Sequence, residues 1–126
     1  MSSMVLALLL FSQYSYAQSD IINDVKQALK SGSAKEVAKF LNTSVDLQLD
    51  GKNENYSKAQ AEFVLKNFFK DNPPSSFIVV HQGASKGKLP YAIGQYVSNG
   101  NSFSVWIRIK NTDGQFRIHG MSFTPE

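Results

Sequence analysis

The chain contains no cysteine among its 126 residues. This absence excludes disulfide scaffolds, thiol catalysis, thiolate metal sites and a lipid-anchored cysteine. Two separated histidines do not make up a metal site on their own, so we expect neither a metal nor another cofactor. The thirteen basic residues are scattered along the chain, whereas nucleic-acid-binding proteins usually cluster theirs. We therefore expect no nucleic-acid partner.

Long hydrophobic runs are also scarce. The one at the amino terminus, Met4 to Phe11, is shorter than the roughly 20 apolar residues that a membrane-spanning helix needs. Ser15 and Ala17 follow it as the small residues that signal peptidase reads, although no lysine or arginine precedes it. These features predict a signal peptide at residues 1–17, export to the periplasm or the medium, and no membrane span after cleavage. The alternative is a buried amino-terminal helix.

The first half of the remaining chain, residues 18–126, carries three segments whose apolar residues recur at helical spacing. Serines that can cap helices precede them, and Ser57 with Gln60 has the pattern of a capping box. Pro73 and Pro74 must end the third helix at Asn72, since proline cannot continue it. The apolar stripes are Ile21, Ile22, Val25 and Leu29; Val37, Phe40 and Leu41; and Ala61, Val64, Leu65 and Phe68.

Alternation with a period of two predicts one strand between the helices, Val45–Leu49, and four strands after Pro74. Asn99-Gly100 and Asp113-Gly114 are typical of two-residue hairpin turns, which need a positive φ twice. We therefore predict a single α+β domain with amino-terminal helices packed on a strongly curved antiparallel sheet of four to five strands. The four later strands are expected near Ser76–Gly83, Tyr91–Val97, Ser102–Lys110 and Gln115–Phe123.

The two hairpin turns predict which residues share a face of the sheet. They pair Tyr96 with Phe103, Ile109 with Ile118, and Ile107 with Gly120. The face defined by these pairs is nearly all apolar, so we expect it to pack against the helices, with Gly94 and Gly120 within it. Its side chains are Tyr96, Phe103, Val105, Ile107, Ile109, Phe116 and Ile118.

The opposite face combines aromatic and basic residues, with Arg108 predicted opposite His119 and Lys110 opposite Arg117. Like charges across a ladder are unfavourable unless a partner offsets them, and an aromatic patch with a basic rim is typical of an interface. Self-association through this face is our first expectation, although solvated charges around aromatics under a loop would also fit. The expected interface residues are Tyr91, Ile93, Trp106, Arg108, His119 and Met121, with Phe123 on the same face.

The order of helices and strands resembles the nuclear transport factor 2-like superfamily, a cystatin-like α+β cone. Three stretches also resemble a bacterial exported family, domain of unknown function 4783: His81 to Ser85, Tyr91 to Tyr96, and Phe116 to Gly120. The superfamily includes isomerases, dehydratases, polyketide cyclases and many non-catalytic binders, so the resemblance implies the fold and no particular activity. Its enzymes use an Asp or His that points into the cone, often with a Tyr.

The predicted inner face offers few such groups. Asp46 and Asp50 alternate with apolar residues that should face inward, so both should face water. His81 would face inward beside Ala92 if a two-residue turn follows Ser85, and outward if the turn has three residues.

The sequence therefore favours an exported, non-catalytic binding or interaction module that is homodimeric through the outer sheet face. Its cone would be filled by its own aromatics or hold a small apolar ligand. A further alternative is that the basic, aromatic outer face binds an acidic glycan or another cell-envelope protein. The alternative is a small isomerase, dehydratase or cyclase that acts on an apolar substrate with His81 and Tyr96. The residues expected to line the cone are Phe77, Val79, His81, Tyr96, Phe103 and Val105.

Overall fold

A computed structural model describes residues 18–87 and 89–126 of the chain. The predicted signal peptide at residues 1–17 lies outside the described residues. Three helices and six strands follow one another: α1 (Gln18–Ser31), α2 (Ala34–Ala38), β1 (Leu41–Leu49), β2 (Lys52–Ser57), α3 (Lys58–Asp71), β3 (Ser76–Ser85), β4 (Leu89–Ser98), β5 (Asn101–Thr112) and β6 (Gln115–Pro125).

The strands form one sheet in the order β2-β1-β6-β5-β4-β3. Every neighbouring pair is antiparallel except β1 and β6, which run parallel. The predicted α+β architecture is confirmed, but the sheet has six strands where four to five were expected. Sequence periodicity missed β2 because its residues, Lys52–Ser57, are polar and nearly all exposed.

The residues at the helix ends explain where the helices begin and stop. The Ser33 hydroxyl accepts a hydrogen bond from the Glu36 amide at 3.2 Å and caps α2. At α3 the capping box is complete, because Ser57 Oγ accepts from the Gln60 amide and Gln60 Oε1 accepts from the Ser57 amide. Asn72 ends α3 directly before the two prolines, as predicted.

Three tight turns connect antiparallel strands, and each places two consecutive residues at positive φ. Asn99-Gly100 and Asp113-Gly114, the predicted hairpin turns, have φ values of 47° and 86°, and of 52° and 83°. Asp50-Gly51 joins β1 to β2 in the same way. These values are typical of type I′ turns, in which glycine avoids the steric cost of the second position.

A bulge between Arg108 and Ile109 shifts the register of β5 and β6. Ile109 faces Ile118 and Lys110 faces Arg117, as predicted, but beyond the bulge Arg108 faces Gly120. The predicted Arg108–His119 and Ile107–Gly120 pairs are therefore wrong. Because a one-residue slip exchanges the two faces of a strand, Met121 and Phe123 lie in the core at 0% and 2% exposure instead of on the outer face.

The helices pack on the inner face of the sheet, and the core lies between them. The predicted inner residues are buried, except for Phe116, which is half-buried against the same core. Gly94 lies on this face, and the Phe77 ring occupies the space where a side chain would begin. Gly120 lies on the outer face, contrary to the prediction, because it follows the bulge.

Candidate functional site

The interior of the cone is filled by aromatic side chains of the chain itself. Phe68 on α3 packs against Phe123 with ring centroids 4.6 Å apart and against Phe103 at 5.3 Å. Tyr96 meets Phe123 edge to face at 5.7 Å, and all four rings are buried. Aromatic pairs at these separations are mutually stabilising, so this part of the cone is a packed core and not an open chamber.

The Tyr96 hydroxyl donates a hydrogen bond to the Asn72 carbonyl at 2.5 Å and so ties β4 to the end of α3. Burial raises the pKa of the Tyr96 phenol far above its ordinary value of 10.0, because removal from water disfavours the phenolate. Tyr96 therefore stays protonated near neutral pH and acts as a structural donor.

The residues expected to line a ligand cavity in the cone do not form one. Phe77, Tyr96, Phe103 and Val105 are buried parts of the packed core, and Val79 is half-buried against it. His81 is exposed on the outer face, where it pairs with Ile93. Ser85 pairs with Leu89, so three residues connect β3 and β4. A three-residue connection is the one predicted to place His81 on the outer face. The proposed catalytic pair of His81 and Tyr96 is wrong because the two side chains lie on opposite faces.

A recess of about 240 Å³ remains between α3 and the β1–β2 hairpin. Leu47, Val64 and Phe68 form its floor, while Asp50 and Asp71 lie at its rim and are exposed to water. Across residues 18–87 and 89–126, the only buried polar side chains besides the Tyr96 phenol are those of Ser98 and Ser122. The described part of the cone therefore contains no desolvated carboxylate of the kind that could act as a base near neutral pH.

A larger pocket, of about 460 Å³, lies on the outer face of the sheet, and we call it the outer groove. It lies between the β3–β4 hairpin and the bulged part of β5 and β6. One wall is apolar and the other carries charged and polar groups. The apolar wall includes Leu89, Pro90, Tyr91 and Trp106, and the polar wall includes Asp46, Arg108, Lys110 and His119.

Tyr91 and Trp106 form a stacked aromatic pair along the apolar wall, and we call this pair the aromatic platform. Their ring planes differ by 15°, with centroids 5.9 Å apart, and 43% of Trp106 is exposed. The Tyr91 ring lies over Gly83, where a Cβ atom would come within 3.2 Å of the phenol oxygen. The Tyr91 hydroxyl also hydrogen-bonds His81 Nε2 at 2.9 Å. The platform is therefore held in place before any ligand binds.

Arg108 crosses the opposite wall of the outer groove. Its guanidinium lies over Gly120, where a Cβ atom would come within 2.7 Å of Nη2. Among the described residues the one ion pair is that of Lys39 with Glu36, far along the chain. Arg108 and Lys110 thus have no carboxylate within 4.0 Å in the described part of the chain.

The carboxylate in the outer groove, Asp46, has a neutral partner instead. Its Oδ1 atom accepts a hydrogen bond from Asn55 Nδ2 at 2.8 Å, across the β1–β2 ladder. Asp46 pairs with Gly120 on β6, and Gly120 pairs in turn with Arg108 on β5. Asp46 and Arg108 therefore flank Gly120 on neighbouring strands. Among the described residues, the groove therefore presents two cations without an ion-pair partner and one carboxylate.

His119 lies at the bulge and is half-buried in the polar wall. Its Nε2 atom is 3.0 Å from Thr112 Oγ1. Burial lowers the pKa of His119 below its ordinary value of 6.5, and the positive charge of Lys110 lowers it further, while Asp46 opposes the shift. The lowered pKa favours the neutral form of His119 at pH 7.

Of the six residues expected at an interface, the outer face holds Tyr91, Ile93, Trp106, Arg108 and His119. Met121 is buried on the inner face, which is a correction caused by the bulge. The groove is also lined by residues that were not among the predicted site residues, namely Asp46, Ala84, Ser85, Leu89, Pro90, Ile109 and Lys110. Strand alternation placed Asp46 facing water, but only the unpredicted parallel pairing of β1 with β6 brings it beside Gly120.

The described residues include no group of three or more His, Cys, Asp or Glu side chains that could hold a metal ion. No helix in residues 18–87 and 89–126 is long and apolar enough to cross a membrane.

Comparison with known families assigns the chain. Residues 22–124 match the family described as domain of unknown function (DUF4783), and the chain belongs to this family. The crystal structure of a DUF4783 family protein from Bacteroides ovatus is 29% identical and superimposes with a TM-score of 0.77, covering 82% of this chain and 93% of that one. The resemblance inferred from the sequence is confirmed. No curated protein matches the chain.

More distant structures share the fold alone. A nuclear transport factor 2-like protein of Shewanella baltica is 12% identical, with a TM-score of 0.65 over 92% of this chain and 96% of that one. A domain with a cystatin-like fold from Nostoc punctiforme is also 12% identical, with a TM-score of 0.68 over 89% of this chain and 79% of that one. The fold is therefore nuclear transport factor 2-like, as expected from the order of elements.

Proposed function

We propose that this chain is an exported, non-catalytic module that binds a small ligand in the outer groove instead of in the cone. The observation that carries the proposal is the contrast between the two faces. The inner face is packed with buried aromatics, whereas the outer face holds a pocket of about 460 Å³, a size typical of small-molecule sites. Export rests on the apolar run and small residues within residues 1–17.

The aromatic platform supports binding because it is continuous with Leu89 and Pro90 in one apolar wall of the groove, and contiguous exposed apolar patches are typical of binding sites. Trp106 is 43% exposed. Its neighbour Tyr91 is held by its contact with Gly83 and by its hydrogen bond to His81. A site whose rings are already fixed loses little conformational entropy when a ligand is bound.

Homodimerisation through the outer face stays a prediction, and the charges of this face count against it. A symmetric dimer places the same patch on both subunits. The interface would then contain Arg108 and Lys110 from both subunits with only one groove carboxylate, Asp46, from each subunit. Like charges brought together in an interface are destabilising. A small ligand avoids this repulsion.

The test uses the fact that Trp106 is the only tryptophan in the chain. A library of small sugars, organic acids and aromatic compounds is screened by thermal shift and by Trp106 fluorescence. We expect at least one compound to stabilise the wild type and to quench Trp106. The Trp106→Ala variant should lose that stabilisation in the thermal assay.

The matched control is Phe63→Ala, which removes an aromatic side chain that is 65% exposed on α3, away from the outer groove. This variant should respond to the compound as the wild type does. Stabilisation that persists in Trp106→Ala, or a stable dimer in which Trp106 is shielded from a soluble quencher, would contradict a small-ligand site in the groove.

A further inference from the structure

The outer groove makes three separate chemical demands on a ligand. The first is an apolar aromatic surface, because the rings of Tyr91 and Trp106 stack nearly parallel, with 15° between their planes, and 43% of Trp106 is exposed. The C–H-bearing faces of sugar rings stack on exposed aromatic rings of this kind. Branched aliphatic chains would use it poorly, since they present no flat face to the rings.

The second demand is negative charge. Arg108 and Lys110 have no carboxylate partner within 4.0 Å among the residues that the structure describes. Arginine binds a carboxylate through two parallel hydrogen bonds, which are stronger than bonds between neutral groups. A ligand with a carboxylate would provide the ion-pair partner that the described residues do not place within 4.0 Å.

The third demand is for hydrogen-bond donors. Asp46 lies in the same groove, where Oδ1 accepts from Asn55 and Oδ2 has no hydrogen-bond partner among the described residues. This carboxylate repels a densely charged polyanion such as polyphosphate, but it accepts hydrogen bonds from hydroxyl groups. The ligand should therefore carry separated negative charges and several hydroxyls.

The position of the groove on the sheet argues against an extended peptide. Peptides that add to a sheet are held by main-chain hydrogen bonds at an exposed edge. The groove is lined by residues of β1, β3, β4, β5 and β6. Of these strands only β3 is at an edge of the sheet, and its unpaired side is the one away from β4. A peptide lying in the groove over β4, β5 and β6 would therefore find strands that are already paired on both sides, so recognition there depends on the side chains.

We propose that the outer groove binds a carboxylated carbohydrate, an oligosaccharide that contains uronic acid. This class meets all three demands at once, with ring faces for Tyr91 and Trp106, a carboxylate for Arg108 and hydroxyls for Asp46. The groove volume of about 460 Å³ accommodates a short oligosaccharide. The inference rests on the proposed function, because it names the ligand class of that same site.

The experiment compares three soluble probes by isothermal titration calorimetry and Trp106 fluorescence. They are trigalacturonate, the neutral α-1,4-linked trisaccharide maltotriose, and citrate, which carries carboxylates without a sugar ring. We expect trigalacturonate to bind at least about tenfold more tightly than either other probe. The reason is that only trigalacturonate combines a charge-assisted hydrogen bond with stacking of a sugar ring. Its affinity should fall as salt is raised.

Three variants test the assigned contacts. Arg108→Gln should weaken trigalacturonate by about tenfold or more, whereas Lys66→Gln, which removes an exposed positive charge on α3, should leave it unchanged. Asp46→Ala should weaken trigalacturonate but strengthen citrate, because it removes a hydroxyl acceptor and a negative charge together. Circular dichroism of each variant checks that it is folded.

The outcomes separate the two proposals. Maltotriose binding as tightly as trigalacturonate, and losing its affinity in Trp106→Ala, overturns the acidic ligand and keeps the groove as a binding site. Citrate binding as tightly as trigalacturonate, and losing its affinity in Trp106→Ala, overturns the carbohydrate ligand and keeps the groove as a binding site. If trigalacturonate binds with an affinity that neither Trp106→Ala nor Arg108→Gln changes, the site is elsewhere and both proposals fail. If trigalacturonate does not bind at all, the inference fails, and the broader library screen decides the proposed function.

Discussion

Replacing Gly94 by alanine should destabilise the domain strongly, because β4 lies against β3 with no room for a methyl group. A Cβ atom at Gly94 would come within 2.5 Å of Phe77 Cζ, 2.6 Å of Phe77 Cε1 and 2.7 Å of the Ile78 carbonyl oxygen. Real Cβ atoms essentially never make contacts under 3.0 Å. Phe77 is 1% exposed and the Ile78 oxygen is part of the backbone, so neither can simply swing away.

The cost can be estimated from this crowding. Forcing an extra methyl group into a well-packed core typically costs about 1–3 kcal/mol, and here the two strands and a buried ring must shift together. We therefore expect the upper part of that range, about 2–3 kcal/mol, partly offset by the lower entropy cost of ordering alanine than glycine. For a domain of this size that is a loss of roughly 10–20 °C in Tm.

Urea unfolding followed by circular dichroism measures the free energy of unfolding. The control is Gly120→Ala on the same sheet, where the three atoms nearest to the new Cβ all belong to the end of the flexible Arg108 side chain. We expect this control to cost less than about 1 kcal/mol. Equal stabilities of Gly94→Ala and the wild type would refute the close packing of Phe77 on β4.

Three further predictions concern other parts of the molecule. Gly120→Ala should displace the Arg108 guanidinium and so weaken binding in the outer groove while the domain stays folded, as calorimetry would show. Tyr96→Phe leaves the Asn72 carbonyl without its donor and should cost about 1–2 kcal/mol in urea unfolding, with no change in the secondary-structure spectrum. The third concerns His119, whose pKa is lowered in the folded state, so the unfolded chain binds more protons near pH 6.5. The free energy of unfolding should then fall as the pH decreases from that value through the lower folded-state pKa, and His119→Gln should reduce this fall. An NMR titration that placed the pKa of His119 at or above 6.5 would contradict the stated burial.

The fold was largely predictable because its signals are local. The serine caps, the prolines after Asn72 and the two hairpin turns fix the helix ends and the β4–β5 register without any long-range information. The strand β2 was not predictable by periodicity, since it is polar and exposed and is held by pairing with β1.

The site was predictable only in part. Alternation along β5 placed Trp106 and Arg108 on the outer face, and the structure has them in the outer groove. The bulge beside Arg108 carries no sequence signal that we can identify, and it moves Met121 inward and Gly120 outward. Asp46 joins the groove through the parallel pairing of β1 with β6, a contact between distant parts of the chain. Local patterns do not encode such contacts.

The most direct test of the account is a crystallographic fragment screen, because it compares all surfaces at once without assuming a ligand. The outer groove competes with the recess between α3 and the β1–β2 hairpin, which is lined by Leu49, Val64 and Phe68. We predict that bound fragments cluster on Tyr91 and Trp106, with acidic groups turned towards Arg108. Fragments that cluster instead in the recess, or that enter the space between the helices and the inner face, would contradict the account.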